Sequence, residues 1–115
     1  MRRILRALVF SIAGLRAAWR NEPAFRQECV ATLVLMPAAF WIGETATQRA
    51  LLIGTCWLVL IVELLNSAVE SAVDRVGTDH HQLSGRAKDL GSASVLVSIA
   101  LSLLVWGLIG WERFA

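Results

Sequence analysis

Five polar residues share one face of a single helical stretch: Glu63, Asn66, Ser67, Glu70 and Asp74. At about 100° per residue all of them fall within about 60° of Glu63, while Leu64, Leu65, Val69 and Val73 point elsewhere. Glu63 follows directly on 13 almost purely apolar residues, 50–62. An ionisable group at the end of such a run sits near a membrane boundary, where it is expensive and marks a functional site by default. A solvated polar face accounts well for Asp74 and partly for Glu70, but badly for Glu63.

Glu22 and Glu28 stand at the start of an earlier apolar segment. Their bland reading is charge complement to a helix dipole and to nearby arginines. Glu22, Glu63 and Glu70 can nevertheless reach one interfacial layer. Carboxylate oxygens without matching histidines or thiolates suit Mg²⁺, which usually takes one or two carboxylates plus substrate phosphates. Arg86, Lys88 and Asp89 follow in the next polar stretch, where a lysine can hold a phosphate. A carboxylate base, a metal-binding pair and a lysine are the components of phosphoryl transfer. No GxxxxGK[ST] sequence and no protein-kinase signature occurs, so an ATP site here is unorthodox. His80 and His81 are adjacent, about 100° apart on a helix, and cannot easily share a metal. They read as solvated loop residues or as a nucleotide contact.

These residues must be held by a chain of 115 residues that is 57% hydrophobic and only 17% charged. Its mean hydropathy is +0.61, far above a soluble domain, where about 45–50% apolar and 25% charged is usual. A disordered chain, a disulfide-rich module and a soluble single-domain enzyme are excluded, because so short a chain cannot hide this much apolar surface from water. A small all-α integral membrane protein of one domain, residues 1–115, is expected. Net charge is only +2, yet Arg2, Arg3, Arg6, Arg16, Arg20 and Arg26 face a single acid, Glu22, in the first 26 residues. That pattern fits an anionic membrane surface rather than nucleic acid, since apolar residues thread it and spans follow. Arg16 and Arg20 interrupt the apolar run, which argues against a cleavable signal. Cys29 and Cys56 read as buried small hydrophobes, with no disulfide or metal spacing.

Four segments emerge. Ile4, Leu5, Leu8, Val9, Ile12, Leu15 and Trp19 recur at helical spacing and predict an amphipathic surface helix over 1–20. Asn21, Glu22 and Pro23 break it. Spans are predicted over about 24–43, 48–76 and 85–112. The first is short in apolar residues and contains Pro37, and the second protrudes beyond the membrane at about 43 Å. Ser84 is placed as the cap of the last segment, where Gly91, Ser92, Ala93 and Ser94 suit close helix approach. The positive-inside rule puts the N-terminus and the stretch carrying Arg75, Arg86 and Lys88 in the cytoplasm, and the 44–49 turn and Arg113 outside.

LRAAWRNEPAFRQE (15–28), VELLNSAVESAVDR (62–75) and HQLSGRAKDLGSA (81–93) resemble the signature stretches of the prokaryotic diacylglycerol kinases, small membrane-embedded lipid kinases. The resemblance covers nearly the whole chain. It implies a homotrimeric bundle of three-span subunits with shared active sites, in the bacterial inner membrane. It also implies ATP- and Mg²⁺-dependent phosphorylation of diacylglycerol to phosphatidic acid. On matching positions, Glu63 would be the general base and Glu22 and Glu70 the metal ligands, with Asn66 in support. Lys88, Asp89, Asp79, His80 and His81 would contact nucleotide; Arg3, Glu28, Ser92 and Trp106 fall where the family contacts lipid or nucleotide. Phe10 replaces the enterobacterial tyrosine near the nucleotide, and Pro23 replaces a small residue beside Glu22. Undecaprenol kinases are similar to this family and would keep the mechanism on a different lipid. A non-enzymatic membrane scaffold would instead pair its carboxylates with facing basic residues.

Overall fold

The computed structural model describes residues 1–77 and 82–115. Its regular structure among them is helical: α1 (Arg2–Asn21), α2 (Pro23–Ile42), α3 (Ala46–Val76) and α4 (Gln82–Phe114). α1 carries the periodic apolar residues of the sequence on its surface, and Ile4, Leu5, Leu8, Val9, Ile12, Leu15 and Trp19 are all exposed. It stops where Glu22 turns extended, φ −118° and ψ 95°. Pro23 then opens α2 at the position where a missing N–H costs nothing. Arg26, counted above with the surface arginines, turns back instead. Its Nη1 donates to the carbonyls of Trp19 at 2.7 Å and Arg20 at 3.2 Å, which satisfies acceptors that the end of a helix leaves open.

α2 continues through Pro37. α3 starts two residues earlier than predicted, because Thr45 caps it: its Oγ1 accepts from Gln48 N at 3.1 Å, and Gln48 Oε1 accepts from Glu44 N at 2.7 Å. This is a variant of the reciprocal capping box, a T-x-x-Q signal unread in the sequence. α4 is helical already at Gln82, so Ser84 lies inside the helix and is not its cap. Gln82 and Leu83 are adequate helix formers and extend it backwards. Cys56 is buried as expected, whereas Cys29 is only half-buried; both are free thiols.

The core sits between α2, α3 and α4. Ala39 and Leu52 are fully enclosed and touch Ile109, with Ile42, Ile53, Val105 and Trp106 around them. Trp106 Nε1 donates to the Leu52 carbonyl at 3.0 Å, and the Thr55 and Ser102 hydroxyls meet at 3.1 Å. Gly43 packs so closely on α3 that a Cβ there would lie 2.7 Å from Arg49 Cγ and 2.9 Å from the Ala39 carbonyl. Around it, Arg49 Nε donates to the Gly43 carbonyl at 3.0 Å. The rings of Trp41 and Phe114 lie 5.4 Å apart, and Arg113 reaches Glu44 at 3.9 Å. The 44–49 turn and the C-terminus therefore share one end of the bundle, as the charge pattern requires.

α3 and α4 are long and apolar enough to cross a membrane, with mean hydropathies of 2.0 and 2.2 over their best stretches. Only 28% and 11% of those stretches is buried within the chain. Most of their apolar surface is thus left for lipid or for another chain. In α2 the uninterrupted apolar part, 29–42, is about 21 Å long against a hydrocarbon core of about 30 Å.

Truncating Leu52 to Ala removes the one large side chain that, among the described residues, is wholly enclosed by the packed helices. A loss of about 2–5 kcal/mol is expected, read as a lowered thermal midpoint in detergent micelles. A midpoint equal to that of the unaltered protein would place the core elsewhere.

Candidate active site

Glu63 is buried, only 7% exposed, at the point where the apolar part of α3 ends. Three carboxylates lie near enough to act on it electrostatically: Glu28 most strongly, then Glu22 and Glu70. Each comes from a different structural reason. Glu22 is held by the break between α1 and α2, where its N–H donates to the Ala18 carbonyl at 2.9 Å and its carbonyl accepts from Arg26 N at 3.2 Å. Glu28 lies in the second turn of α2, which packs along α3. Glu70 is two turns beyond Glu63 on the same face. Among the described residues, no side-chain hydrogen bond or ion pair reaches the Glu63 carboxylate. The scaffold reading requires matching basic partners, and Glu63 has none there.

Asn66 Nδ2 donates to Glu70 Oε1 at 3.3 Å. Its Oδ1 is buried without a partner and lies against Gly91 of α4, where a Cβ would collide with it. Of the four small residues 91–94, Gly91 alone makes the predicted close approach; Ser92, Ala93 and Ser94 are exposed. Ser94 Oγ simply donates back to the Leu90 carbonyl at 3.0 Å.

One turn further on, Lys88 Nζ and Asp74 Oδ1 are 2.7 Å apart, both substantially exposed. An exposed pair of this kind is worth about 0–1 kcal/mol, so either partner is available to a stronger ligand. Asp89 and Ser92 are exposed nearby. Asp79, His80 and His81 lie outside the described residues.

Three further expected residues do not join this layer within one chain. Arg3 and Phe10 are exposed on α1, about 28 and 18 Å along the helix from Glu22. Trp106 is about 27 Å along α4 from Lys88 and anchors the core through Leu52 instead. That Glu28, on another helix, comes within electrostatic reach of Glu63 is the main feature that the linear sequence does not reveal. Its only sequence signal is a helix-edge acid, which a dipole explains equally well.

Two grooves flank the layer. One, about 550 Å³, runs between α1 and α3 and is lined by Ser11, Asn21, Glu22, Ser67 and Ser71 among others. The second, about 390 Å³, is apolar, lined by Phe25, Leu33, Met36, Trp57 and Ile61. Leu15 and Leu64 line both, so a groove of mixed character runs into an apolar one.

The donor set also bears on a metal. Among the described residues, no group of three or more His, Cys, Asp or Glu side chains is placed to hold one unaided. Glu22 and Glu70 supply two hard carboxylate donors, each within electrostatic reach of Glu63. That fits Mg²⁺, which leaves the remaining positions to water and phosphate oxygens.

Residues 9–110 match the family model described as prokaryotic diacylglycerol kinase. The chain is 52% identical over 112 residues to the diacylglycerol kinase of Escherichia coli strain K12, covering 97% of this chain and 92% of that protein. It is 48% identical over 104 residues to the diacylglycerol kinase of Haemophilus influenzae, covering 90% and 88%. The diacylglycerol kinase of Helicobacter pylori strain 26695 is 40% identical over 106 residues, covering 92% and 83%.

A buried carboxylate among three others, without a cation, opposes folding whenever it is ionised. Glu63→Gln should therefore stabilise the protein at neutral pH, by something on the order of 1 kcal/mol. Thermal denaturation in micelles checks it. A fall in the midpoint would mean that the ionised form is held by a partner.

Proposed function

The chain belongs to the prokaryotic diacylglycerol kinase family, and from that premise we propose that it transfers the γ-phosphate of ATP to the free hydroxyl of diacylglycerol, yielding phosphatidic acid and ADP. It is a diacylglycerol kinase. The observation that carries the mechanism is Glu63, buried near three other glutamates and free of any cationic partner among the described residues.

Held at the end of an apolar run, Glu63 is at the depth of a lipid hydroxyl rather than of bulk water. Its carboxylate takes the hydroxyl proton while that oxygen bonds to the γ-phosphorus. The bond from the γ-phosphorus to the β,γ-bridging oxygen breaks, and ADP leaves. Such in-line transfer asks the protein mainly for positioning and charge neutralisation. Glu22 and Glu70 would hold Mg²⁺, which would supply neutralisation of the ATP phosphates. Asn66 steadies Glu70 through its Nδ2 hydrogen bond. Lys88 leaves its exposed partner Asp74 for a phosphate oxygen, and Asp89 contacts the nucleotide beside it. The contiguous mixed and apolar grooves suit an amphiphile, head beside Ser67 and Glu22 and chains along Trp57 and Leu33.

In this reading α2, α3 and α4 all span the bacterial inner membrane and α1 lies on its cytoplasmic surface. Three subunits share their sites. The sparse burial of α3 and α4 within one chain supports further subunits. So does the distance of Arg3 and Phe10 from Glu22, which a neighbouring subunit can bridge.

Phosphate transfer in detergent–lipid micelles tests the proposal, with diacylglycerol and undecaprenol offered side by side. Phosphatidic acid should form only with ATP and Mg²⁺, and Glu63→Gln should lower kcat by about 10²–10⁴-fold. Lys88→Met should chiefly raise the KM for ATP. Product from undecaprenol alone would transfer the mechanism to another lipid, and a fully active Glu63→Gln variant would remove the base. No transfer to either lipid by folded protein would overturn the kinase reading.

A further inference from the structure

We propose that Gly91 is a positioning residue for phosphoryl transfer: its missing side chain is the space in which the Asn66 amide is held in register with Glu70. The inference rests on the proposed function, because it gives Asn66 and Glu70 their task. Three observations meet at this point. Asn66 Oδ1 is buried and unpartnered. The other end of the same amide, Nδ2, donates to Glu70 Oε1 at 3.3 Å. A Cβ at position 91 would collide with Oδ1 and sit only 3.3 Å from Asn66 Cγ.

The amide is therefore bounded on one side by the backbone of α4 and on the other by a carboxylate. A methyl group at position 91 cannot be accommodated by moving a helix cheaply, but the end of an asparagine side chain can swing away. Swinging it breaks the hydrogen bond to Glu70 and frees that carboxylate to adopt other rotamers. No comparable contact exists at Gly54, Gly85, Gly107 or Gly110, where an added Cβ meets nothing within 4 Å. Gly14, which lines the groove beside Glu22 and Ser67, likewise leaves an added Cβ in open space, so among the described helical glycines the close approach is made by Gly91 alone.

The test is a cycle of Gly91→Ala, Asn66→Ala and the double variant, assayed in diacylglycerol-containing micelles with ATP and varied Mg²⁺. Gly91→Ala should fold, keep the KM for diacylglycerol, lose about 10²-fold in kcat and need more Mg²⁺ for half-maximal rate. Asn66→Ala should show the same pattern. The double variant should be no slower than Asn66→Ala alone, because alanine at 66 makes the room that alanine at 91 takes. If Gly91→Ala fails to fold, the double variant should regain the fold for the same reason. Losses that multiply in the double variant, a double variant no better folded than Gly91→Ala, or a Gly91→Ala enzyme with unchanged kcat and Mg²⁺ requirement would each overturn the proposal. Absence of transfer by the unaltered protein would instead overturn the kinase reading itself.

Discussion

Everything in this bundle answers to one electrostatic constraint: α3 carries an apolar run straight into a carboxylate that is then buried. Removing a carboxylate from water is costly, and here no basic side chain among the described residues compensates it. The neighbours instead deepen the problem, since Glu28 and Glu22 arrive from α2 and from the α1–α2 break and Glu70 from α3 itself. A fold selected for stability alone has no use for three glutamates within electrostatic reach of a buried fourth. The gathering makes sense as a place where negative groups handle protons and cations, and the mixed and apolar grooves that meet beside it suit a substrate with both characters. The break at Glu22 and Pro23 is part of that arrangement, and Arg26 holds it by bonding carbonyls in the last turn of α1.

The α3–α4 contact has to be specific without help from the hydrophobic effect, because lipid tails are as apolar as the helices. Polar and small-residue contacts set the register instead. Leu52, Thr55 and Asn66 on α3 meet Trp106, Ser102 and Gly91 on α4, an antiparallel series in one continuous alignment. Asp74 and Lys88 extend it past the apolar region. Trp106, far from the carboxylates along its helix, can therefore matter to them indirectly, by fixing the alignment that sets Gly91 on Asn66.

Much of this was legible in residue order. The four helices follow from periodicity and breakers, and the face from Glu63 to Asp74 follows from 3.6-residue geometry. The apolar surface of α1 follows likewise. Boundaries were less so: the Thr45 cap moves the start of α3, and α4 begins ahead of Ser84. Arg26 is a clear case of a residue whose class misleads, since an arginine in a basic segment can as well turn inward to open carbonyls. Gly91 is another, because four consecutive small residues look equivalent until one of them is found against an amide.

Sequence alone determined the solvent, the helical class and the chemical types available for transfer. Composition decides whether side chains can be hidden from water, and a helix places neighbours on its own face by local geometry. The family resemblance rests on the same local stretches. Tertiary structure alone decided that Glu28 comes within electrostatic reach of Glu63, that Asn66 is pinned between Glu70 and Gly91, and that Lys88 is held by Asp74. Each of these joins residues on different helices or turns one side chain among several rotamers. Such choices depend on how helices pack and slide against one another, and no local rule of spacing contains that information.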